Sequence, residues 1–286
     1  MCRLLAYSGQ PLFLEDLLIH PEGSLVSQSM AAREARTVVN GDGCGLGWYG
    51  EREEPGLYRG ILPAWSDRNL VSLCRQIRSR LFLAHVRAAT SGEVSTGNCH
   101  PFAQGKQLFM HNGQIGDYPR LRREVEAMIP DALYAERRGT CDSEAIFLAA
   151  LGRGSEVDPA GAYAATLREI LALNGGPDEA LRFAAVHSDG TRLFAFRWAS
   201  DGQPPSLYVK LGAGSALVAS EPCGCDPAGW QPIPPGSVLE VANGEARLRR
   251  FDPLAQPSAH AQPSAAPRVS ALSESAATAA ATRNAA

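Results

Sequence analysis

The sequence begins Met1-Cys2-Arg3-Leu4-Leu5-Ala6-Tyr7, and its organisation centres on the second residue. Removal of Met1 would leave Cys2 with both a thiol and a free α-amine. A thiol has an ordinary pKa of about 8.5 and needs a base to become a good nucleophile. An α-amine, with a pKa of about 7.7–8.0, can be that base. This stretch therefore predicts a catalytic N-terminal cysteine, and the alternative is an incidental cysteine.

Apolar runs predict where the strands and helices lie around this terminus. Residues 2–8 favour a buried strand, which Gly9 and Pro11 are expected to end. Helical spacing over 67–80 predicts a helix capped by Ser66 or Asp67. A further buried strand is expected at 81–87, and 107–115 predicts a strand that ends in a polar turn. Helices are expected at 118–128 and 160–173, and a series of short strands from 181 to 251.

The last part of the chain differs in composition from the rest. Residues 254–286 are rich in Ala, Ser and Pro and contain almost no large apolar residues. Such a segment cannot bury enough surface to offset the entropy of ordering it. The sequence therefore predicts one domain over 2–253 and a disordered tail over 254–286.

Composition and charge exclude several classes of function. The 286 residues are 45% hydrophobic and carry a formal net charge of −3. This charge gives no electrostatic reason to expect nucleic acid, and no basic tract favours an anionic membrane. No apolar run reaches the length of a membrane span or forms a signal-peptide core. We expect a cytoplasmic protein.

The seven cysteines do not form a pattern typical of disulfides or zinc. They are scattered along the chain, and their odd number argues against a disulfide framework. The closest pair, Cys223-Gly224-Cys225, has neither the CxxC spacing nor a nearby histidine. The sequence implies no metal and no organic cofactor.

Polar residues stand at the ends of three apolar runs. Arg87 follows a predicted strand, His111-Asn112-Gly113 forms a polar turn at the tip of another, and Asp142 precedes a predicted helix. Each has a simpler explanation: an ion-pair partner for Arg87, a hairpin turn for Asn112-Gly113, and a helix cap for Asp142.

Together with Cys2, these residues match the groups of a γ-glutamyl compound. Its α-carboxylate requires a cation that donates two hydrogen bonds, for which Arg87 is suited. Its α-ammonium requires an anion, and Asp142 can supply it. Attack by Cys2 on the γ-amide creates an oxyanion, which the Asn112 amide and the Gly113 N–H could stabilise.

The sequence resembles the class II (N-terminal cysteine) glutamine amidotransferases of the Ntn-hydrolase superfamily. Six motifs occur in the family's order: Met1-Cys2, Gly41-Asp42-Gly43-x-Gly45, Arg87-x-x-Thr90, Asn98-x-His100-Pro101, His111-Asn112-Gly113 and Thr140-x-Asp142-Ser143-Glu144. Synthase-linked members commonly have Trp-Ala-Thr-His after the arginine, where this chain has Ala88-Ala89-Thr90-Ser91. We expect no synthase domain in the residues after 251, and the chain resembles the stand-alone subgroup that includes the γ-glutamyl hydrolase of ergothioneine biosynthesis.

The resemblance implies a fold and a role for each matched residue. The fold would be an α+β, four-layer αββα sandwich. Cys2 would be the nucleophile, and Asn112 with Gly113 the oxyanion hole. Arg87, Thr90, His111 and Asp142 would bind the substrate.

Three functional hypotheses follow. The first is an amidohydrolase that cleaves a γ-glutamyl amide through a Cys2 thioester and releases glutamate. The second is a glutaminase subunit that delivers ammonia to a separate synthase chain. The third is a catalytically inactive interaction domain. The sequence does not identify the leaving group beyond the γ-amide.

Overall fold

The computed structural model describes residues 2–34, 37–89, 92–173, 180–224 and 228–255. Within these ranges the strands are β1 (Arg3–Phe13), β2 (Cys44–Trp48), β3 (Gly56–Gly60), β4 (Arg78–Val86), β5 (Phe102–Gln104), β6 (Gln107–Gln114), β7 (Arg182–Ser188), β8 (Arg192–Ala199), β9 (Tyr208–Gly212), β10 (Ser215–Ala219), β11 (Trp230–Pro232), β12 (Ser237–Ala242) and β13 (Glu245–Arg250). The helices are α1 (Glu15–Leu18), α2 (Leu25–Met30), α3 (Arg68–Gln76), α4 (Tyr118–Glu126), α5 (Asp131–Tyr134), α6 (Asp142–Gly152) and α7 (Pro159–Leu173).

Antiparallel pairing joins the strands of the described ranges into two sheets. The first has the order β11-β9-β10-β1-β4-β2-β3, and the second has the order β13-β12-β8-β7-β6-β5. β1 lies inside the first sheet between β10 and β4. β6 pairs with β5 and β7 in the second sheet. The chain's N-terminus is thus anchored on both sides by neighbouring strands.

The two sheets pack face to face between two layers of helices. Alternation along β1 directs Leu4 and Ala6 into the core between the sheets, and Leu5 and Tyr7 toward α1, α2 and α3. A third core, rich in aromatic residues such as Phe109, joins the second sheet to α4, α6 and α7. The structure is a four-layer αββα sandwich, which confirms the predicted fold class.

β1 is longer than the sequence predicted. It continues past Gly9 and Pro11 to Phe13, with a register shift against β4 between Ser8 and Leu12. Glycine fits there because a Cβ atom at position 9 would lie 2.6 Å from Ser215 Cβ on the neighbouring strand β10. The expected break is therefore an irregularity within one strand.

The predicted polar turn at 111–113 was also wrong. His111, Asn112 and Gly113 lie inside β6 and pair with Ala185, Ala184 and Phe183 of β7. The short strands β3, β5 and β11 were not predicted, since segments of three to five residues carry little periodicity.

The tail expected over 254–286 falls almost wholly outside the described residues, which end at Ala255. In the part of the chain that the structure describes, no helix is long and apolar enough to cross a membrane.

Candidate active site

A cavity of about 240 Å³ lies where the start of β1, the end of β4, the end of β6 and the start of α6 meet. It is lined by Cys2, Thr37, Arg87, Ala88, Ala89, Asn98, His100, His111, Gly113, Gln114, Cys141, Asp142, Ser143 and Arg182. The structure therefore brings five of the predicted site residues to one cavity. Asn112 does not line the cavity but contacts Cys2, which does. Thr90 is outside the described residues.

The Cys2 side chain is held against the backbone that follows β4. Its Sγ atom accepts a hydrogen bond from the Ala88 N–H at 3.4 Å and is also 3.4 Å from the Ala88 carbonyl oxygen, to which the thiol can donate. Burial raises the pKa of the Cys2 thiol, while the Ala88 hydrogen bond and the charges of Arg87 and Arg3 oppose this rise. The thiol therefore needs a base if it is to attack at neutral pH.

The Cys2 carbonyl oxygen receives two hydrogen bonds. The Arg3 Nε–H donates to it at 2.8 Å, and the Asn112 Nδ2–H donates at 3.0 Å. Arg3 is fully buried and pairs with Glu221 at 3.6 Å. Because two donors hold this carbonyl, the backbone of the cysteine is fixed relative to both sheets.

Asn112 is buried and uses both ends of its amide. Nδ2 donates to the Cys2 carbonyl, and Oδ1 lies 3.1 Å from His85 Nε2. An amide NH₂ group carries two hydrogens, so Nδ2 can serve a second acceptor as well. The neighbouring Gly113 borders the cavity directly. These two adjacent residues place potential donors beside Cys2.

Backbone hydrogen bonds hold Arg87 at the end of β4. Its N–H donates to the Gly43 carbonyl at 2.8 Å, and its carbonyl accepts from the Asp42 N–H at 3.0 Å. The Asp42 carboxylate in turn accepts from the Ala89 N–H at 2.7 Å. The glycine-rich segment singled out in the sequence thus supports Arg87 and the following residues. The Arg87 guanidinium borders the cavity and donates to the Glu93 carbonyl at 3.0 Å.

Asp142 is the first residue of α6, and it does not fill the capping role that was the simpler explanation for this residue. Cys141 occupies the N-cap position, and no side chain caps this helix end. The Asp142 carboxylate accepts a hydrogen bond from the Ile115 N–H at 2.8 Å, and its other oxygen lies 3.3 Å from the Ser143 hydroxyl oxygen. It is buried at the cavity wall, where a negative charge favours a cationic ligand group.

His111 connects the strand to this helix. Its Nε2 lies 3.0 Å from the Arg182 carbonyl, which can only accept, so Nε2 carries a hydrogen. Its Nδ1 lies 2.9 Å from the Ser143 hydroxyl. Burial lowers the pKa of His111, opposed by the Asp142 charge and the Arg182 carbonyl. The histidine therefore ties β6, β7 and α6 together at the cavity.

Sequence reasoning missed several lining residues. Asn98 is buried and accepts hydrogen bonds from the Thr140 and Cys141 N–H groups at 2.7 and 3.1 Å. His100 is buried with neither ring nitrogen hydrogen-bonded within the described residues. Both stand in the Asn98-x-His100-Pro101 motif, which was the available signal. Thr37 and Arg182 carried no signal, because each reaches the cavity through tertiary packing.

The arrangement is suited to nucleophilic chemistry on an amide. Cys2, Arg87, Gly113 and Asp142 border one small cavity, and the Asn112 amide contacts the Cys2 backbone beside it. Among the described residues, no group of three or more His, Cys, Asp or Glu side chains is placed to hold a metal ion.

Comparison with known proteins gives consistent results. A family model described as glutamine amidotransferases class-II matches residues 1–203. A probable glutamine amidotransferase of Saccharomyces cerevisiae is 29% identical over 293 residues, covering 84% of this chain and 82% of that protein. The γ-glutamyl-hercynylcysteine sulfoxide hydrolase of Mycolicibacterium smegmatis is 30% identical over 243 residues, covering 84% of this chain and 96% of that protein.

Solved structures share the fold. A glutamine aminotransferase class-II domain protein from Silicibacter pomeroyi has a TM-score of 0.68 at 37% identity, covering 87% of this chain and 99% of that chain. The glutamine phosphoribosylpyrophosphate amidotransferase of Bacillus subtilis has a TM-score of 0.60 at 15% identity, covering 88% of this chain and 49% of that chain. The second likeness bears on the fold alone, and together they confirm the Ntn-hydrolase sandwich.

Proposed function

The chain belongs to the class II glutamine amidotransferases, and we propose that it is a γ-glutamyl amidohydrolase with Cys2 as its nucleophile. The observation that carries this proposal is the position of the Cys2 thiol in one cavity with Arg87, Gly113 and Asp142. The substrate would be glutamine or another γ-glutamyl amide, bound with its α-carboxylate at Arg87 and its α-ammonium at Asp142. Thr90 and His111 complete the proposed binding residues.

The reaction would proceed through a thioester. After removal of Met1, the Cys2 amine accepts the thiol proton, and the thiolate attacks the γ-carbonyl carbon. The Asn112 Nδ2–H and the Gly113 N–H stabilise the tetrahedral oxyanion. Its collapse breaks the C–N bond, and the leaving amine takes the proton. Water, deprotonated by the Cys2 α-amine, then attacks the thioester, which releases glutamate and restores the thiol.

The test is glutamate release over a panel of glutamine, glutathione and γ-glutamyl thiohistidine compounds. We expect Cys2→Ala to abolish release while the protein keeps its melting temperature. Cys223→Ala, at a buried cysteine outside the cavity, is the matched control and should keep the activity. Glutamate release by Cys2→Ala at the native rate would overturn the proposal, as would an intact mass that retains Met1 in fully active protein.

The panel also addresses the leaving group. The Mycolicibacterium relative supports a γ-glutamyl compound larger than glutamine, because its name specifies hydrolysis of such a substrate. A kcat/KM for a γ-glutamyl thiohistidine compound above that for glutamine would support a leaving group larger than ammonia.

A second candidate is a subunit that passes ammonia to a separate synthase; the yeast relative is named a probable glutamine amidotransferase, which is an activity that transfers the amide nitrogen of glutamine. In that case glutamine would be the preferred substrate, and adding the partner chain would raise glutamate release. Copurification from the source cells, followed by a glutaminase assay of the complex, separates the two candidates.

A further inference from the structure

His85 lies two residues before Arg87 on β4 and is buried between the two sheets. Its Nε2 atom is 3.1 Å from Asn112 Oδ1. One face of the ring contacts His100, with 4.3 Å between the ring centroids. His85 is not among the residues that line the cavity, and the side chain it contacts by hydrogen bonding is Asn112.

The hydrogen bonds around Asn112 determine which end of its amide faces His85. The Cys2 carbonyl can only accept, so the group 3.0 Å from it is Nδ2, and Oδ1 is turned toward the histidine. Because Oδ1 can only accept, His85 Nε2 must carry the hydrogen. The other ring nitrogen, Nδ1, has no hydrogen-bond partner among the described residues. The His85 ring therefore donates one hydrogen bond, from Nε2–H to Asn112 Oδ1.

The ring's protonation state agrees with this assignment. Burial lowers the pKa of His85 to about 3, a shift that the Asn112 hydrogen bond opposes and the charges of Arg87, His111 and Arg3 reinforce. At neutral pH the imidazole is thus uncharged and has a single N–H, which is given to Asn112.

We propose that His85 is a positioning residue that holds the Asn112 amide with its N–H groups directed toward Cys2. This inference rests on the proposed function, in which Asn112 stabilises the oxyanion. The terminal torsion of an asparagine is intrinsically broad, so contacts must set its orientation. His85 holds the oxygen end, and the Cys2 carbonyl holds the nitrogen end. Without His85, Oδ1 would be a buried acceptor with no donor, and the amide would be free to turn.

The test compares three variants of His85. His85→Leu removes the donor. His85→Gln keeps an amide N–H near the position of Nε2, whereas the shorter side chain of His85→Asn cannot reach it. We expect His85→Leu and His85→Asn to lower kcat by about tenfold to a hundredfold with little change in KM, which is less than the loss for deleting an oxyanion donor. His85→Gln should recover kcat to within about threefold of the native value, since it restores the donor.

His187 provides a matched control. It is also a fully buried strand histidine with one ring nitrogen paired, in this case to the Tyr163 hydroxyl at 3.1 Å, and it lies outside the cavity. His187→Leu and His187→Gln should lower the melting temperature without changing kcat. A loss of kcat that merely follows stability would appear in both series.

The outcomes separate this inference from the proposed function. Full glutamate release by Cys2→Ala would overturn the proposed function, and the inference with it. If Cys2→Ala is inactive and Asn112→Ala is impaired, but His85→Leu keeps the native kcat, the inference alone is wrong. If His85→Leu does not fold, the comparison of His85→Gln with His85→Asn decides, and equal kcat values would overturn the inference.

Discussion

The side-chain amide of Asn112 donates to the backbone carbonyl of Cys2 at 3.0 Å, although 110 positions separate the two residues. Asn112 belongs to β6 in the second sheet, and Cys2 directly precedes β1 in the first. The contact therefore crosses the interface between the sheets. It exists only once the sandwich is assembled, so the proposed nucleophile and oxyanion hole are positioned by the packing of the whole domain.

Replacing Asn112 tests its proposed role in catalysis. Asn112→Ala removes an oxyanion donor, and we expect kcat to fall by about 10²–10³-fold. It also leaves the His85 N–H and the Cys2 carbonyl each short of a partner, which should cost about 1–3 kcal/mol of the free energy of unfolding for a buried group. Steady-state kinetics with urea denaturation measure both effects. An unchanged kcat in folded protein would contradict the role.

Gly113 should tolerate no side chain. A Cβ atom there would overlap the Arg182 carbonyl and the His111 ring, so β6 and β7 would have to move apart. We expect Gly113→Ala to lower the melting temperature and to reduce glutamate release at least tenfold, in line with a displaced oxyanion donor. Gly50→Ala is the control, because nothing lies within 4 Å of the added atom. Equal behaviour of the two variants would contradict this account.

Arg87 should act on binding of the α-carboxylate. Charge-assisted hydrogen bonds contribute about 1.5–3 kcal/mol, so Arg87→Met should raise KM by about 10–150-fold. The control compound is the same γ-glutamyl substrate with its α-carboxylate converted to an amide. The native protein should bind this amide poorly, whereas Arg87→Met should bind the carboxylate and the amide about equally. If the variant still prefers the carboxylate as strongly as the native protein does, Arg87 does not bind it.

Buried histidines predict a loss of stability in mild acid. Burial lowers the pKa of His85 to about 3 and that of His187 to about 4, whereas an unfolded histidine has a pKa of about 6.5. Below about pH 6.5 the histidines bind protons in the unfolded chain but stay neutral in the folded protein. Their contribution to the free energy of unfolding is therefore fully present above this pH and is lost as the pH falls. Each histidine should contribute up to about 1.4 kcal/mol per pH unit.

Urea denaturation from about pH 6.5 down to about pH 5 measures this dependence, in a range where the unperturbed carboxyl groups stay mostly ionised. His187→Gln removes one of the titrating groups. It should therefore reduce the slope of the unfolding free energy against pH by the amount that corresponds to about one bound proton. A slope identical to that of the native protein would show that His187 does not contribute.

The buried ion pair of Arg3 and Glu221 should matter for stability. Removing one partner of such a pair leaves an uncompensated buried charge, so we expect Arg3→Met to cost about 3–5 kcal/mol of unfolding free energy. Adding Glu221→Gln should recover part of this loss, because it removes the uncompensated charge. The neutral amide still has an oxygen that can accept from the Arg33 and Glu34 N–H groups. Arg249→Met, in an exposed pair with Glu240, should cost about 0–1 kcal/mol. A similar cost for both arginine variants would contradict this account.

Local features were the part of the structure that could be predicted from the sequence. Asp67 caps α3 as expected, since its carboxylate accepts from the Asn69 and Leu70 N–H groups at 3.0 and 3.1 Å. The apolar run before Arg87 forms β4. Each of these features depends on residues within a few positions of one another or on simple alternation.

Predictions failed where a distant segment supplies the hydrogen-bond partner. An Asn-Gly pair after an apolar run is typical of a turn, but β7 gives 111–113 a partner strand and keeps them extended. Asp142 could have capped α6 itself, but the Ile115 N–H competes for its carboxylate. The role proposed for His85 could not be predicted, because a histidine in a buried strand has no distinctive sequence pattern.

The sequence by itself predicted a mixture of strands and helices and the set of groups available for chemistry, because strand alternation, caps and motifs are properties of short stretches. The αββα architecture followed from the family resemblance that the ordered motifs carry. Only the tertiary structure decided that Cys2, Arg87, Gly113 and Asp142, from four separate segments of the chain, border one cavity. It also decided which way the Asn112 amide faces. Contacts of this kind depend on the register between strands and on how two sheets pack, and no local pattern encodes either.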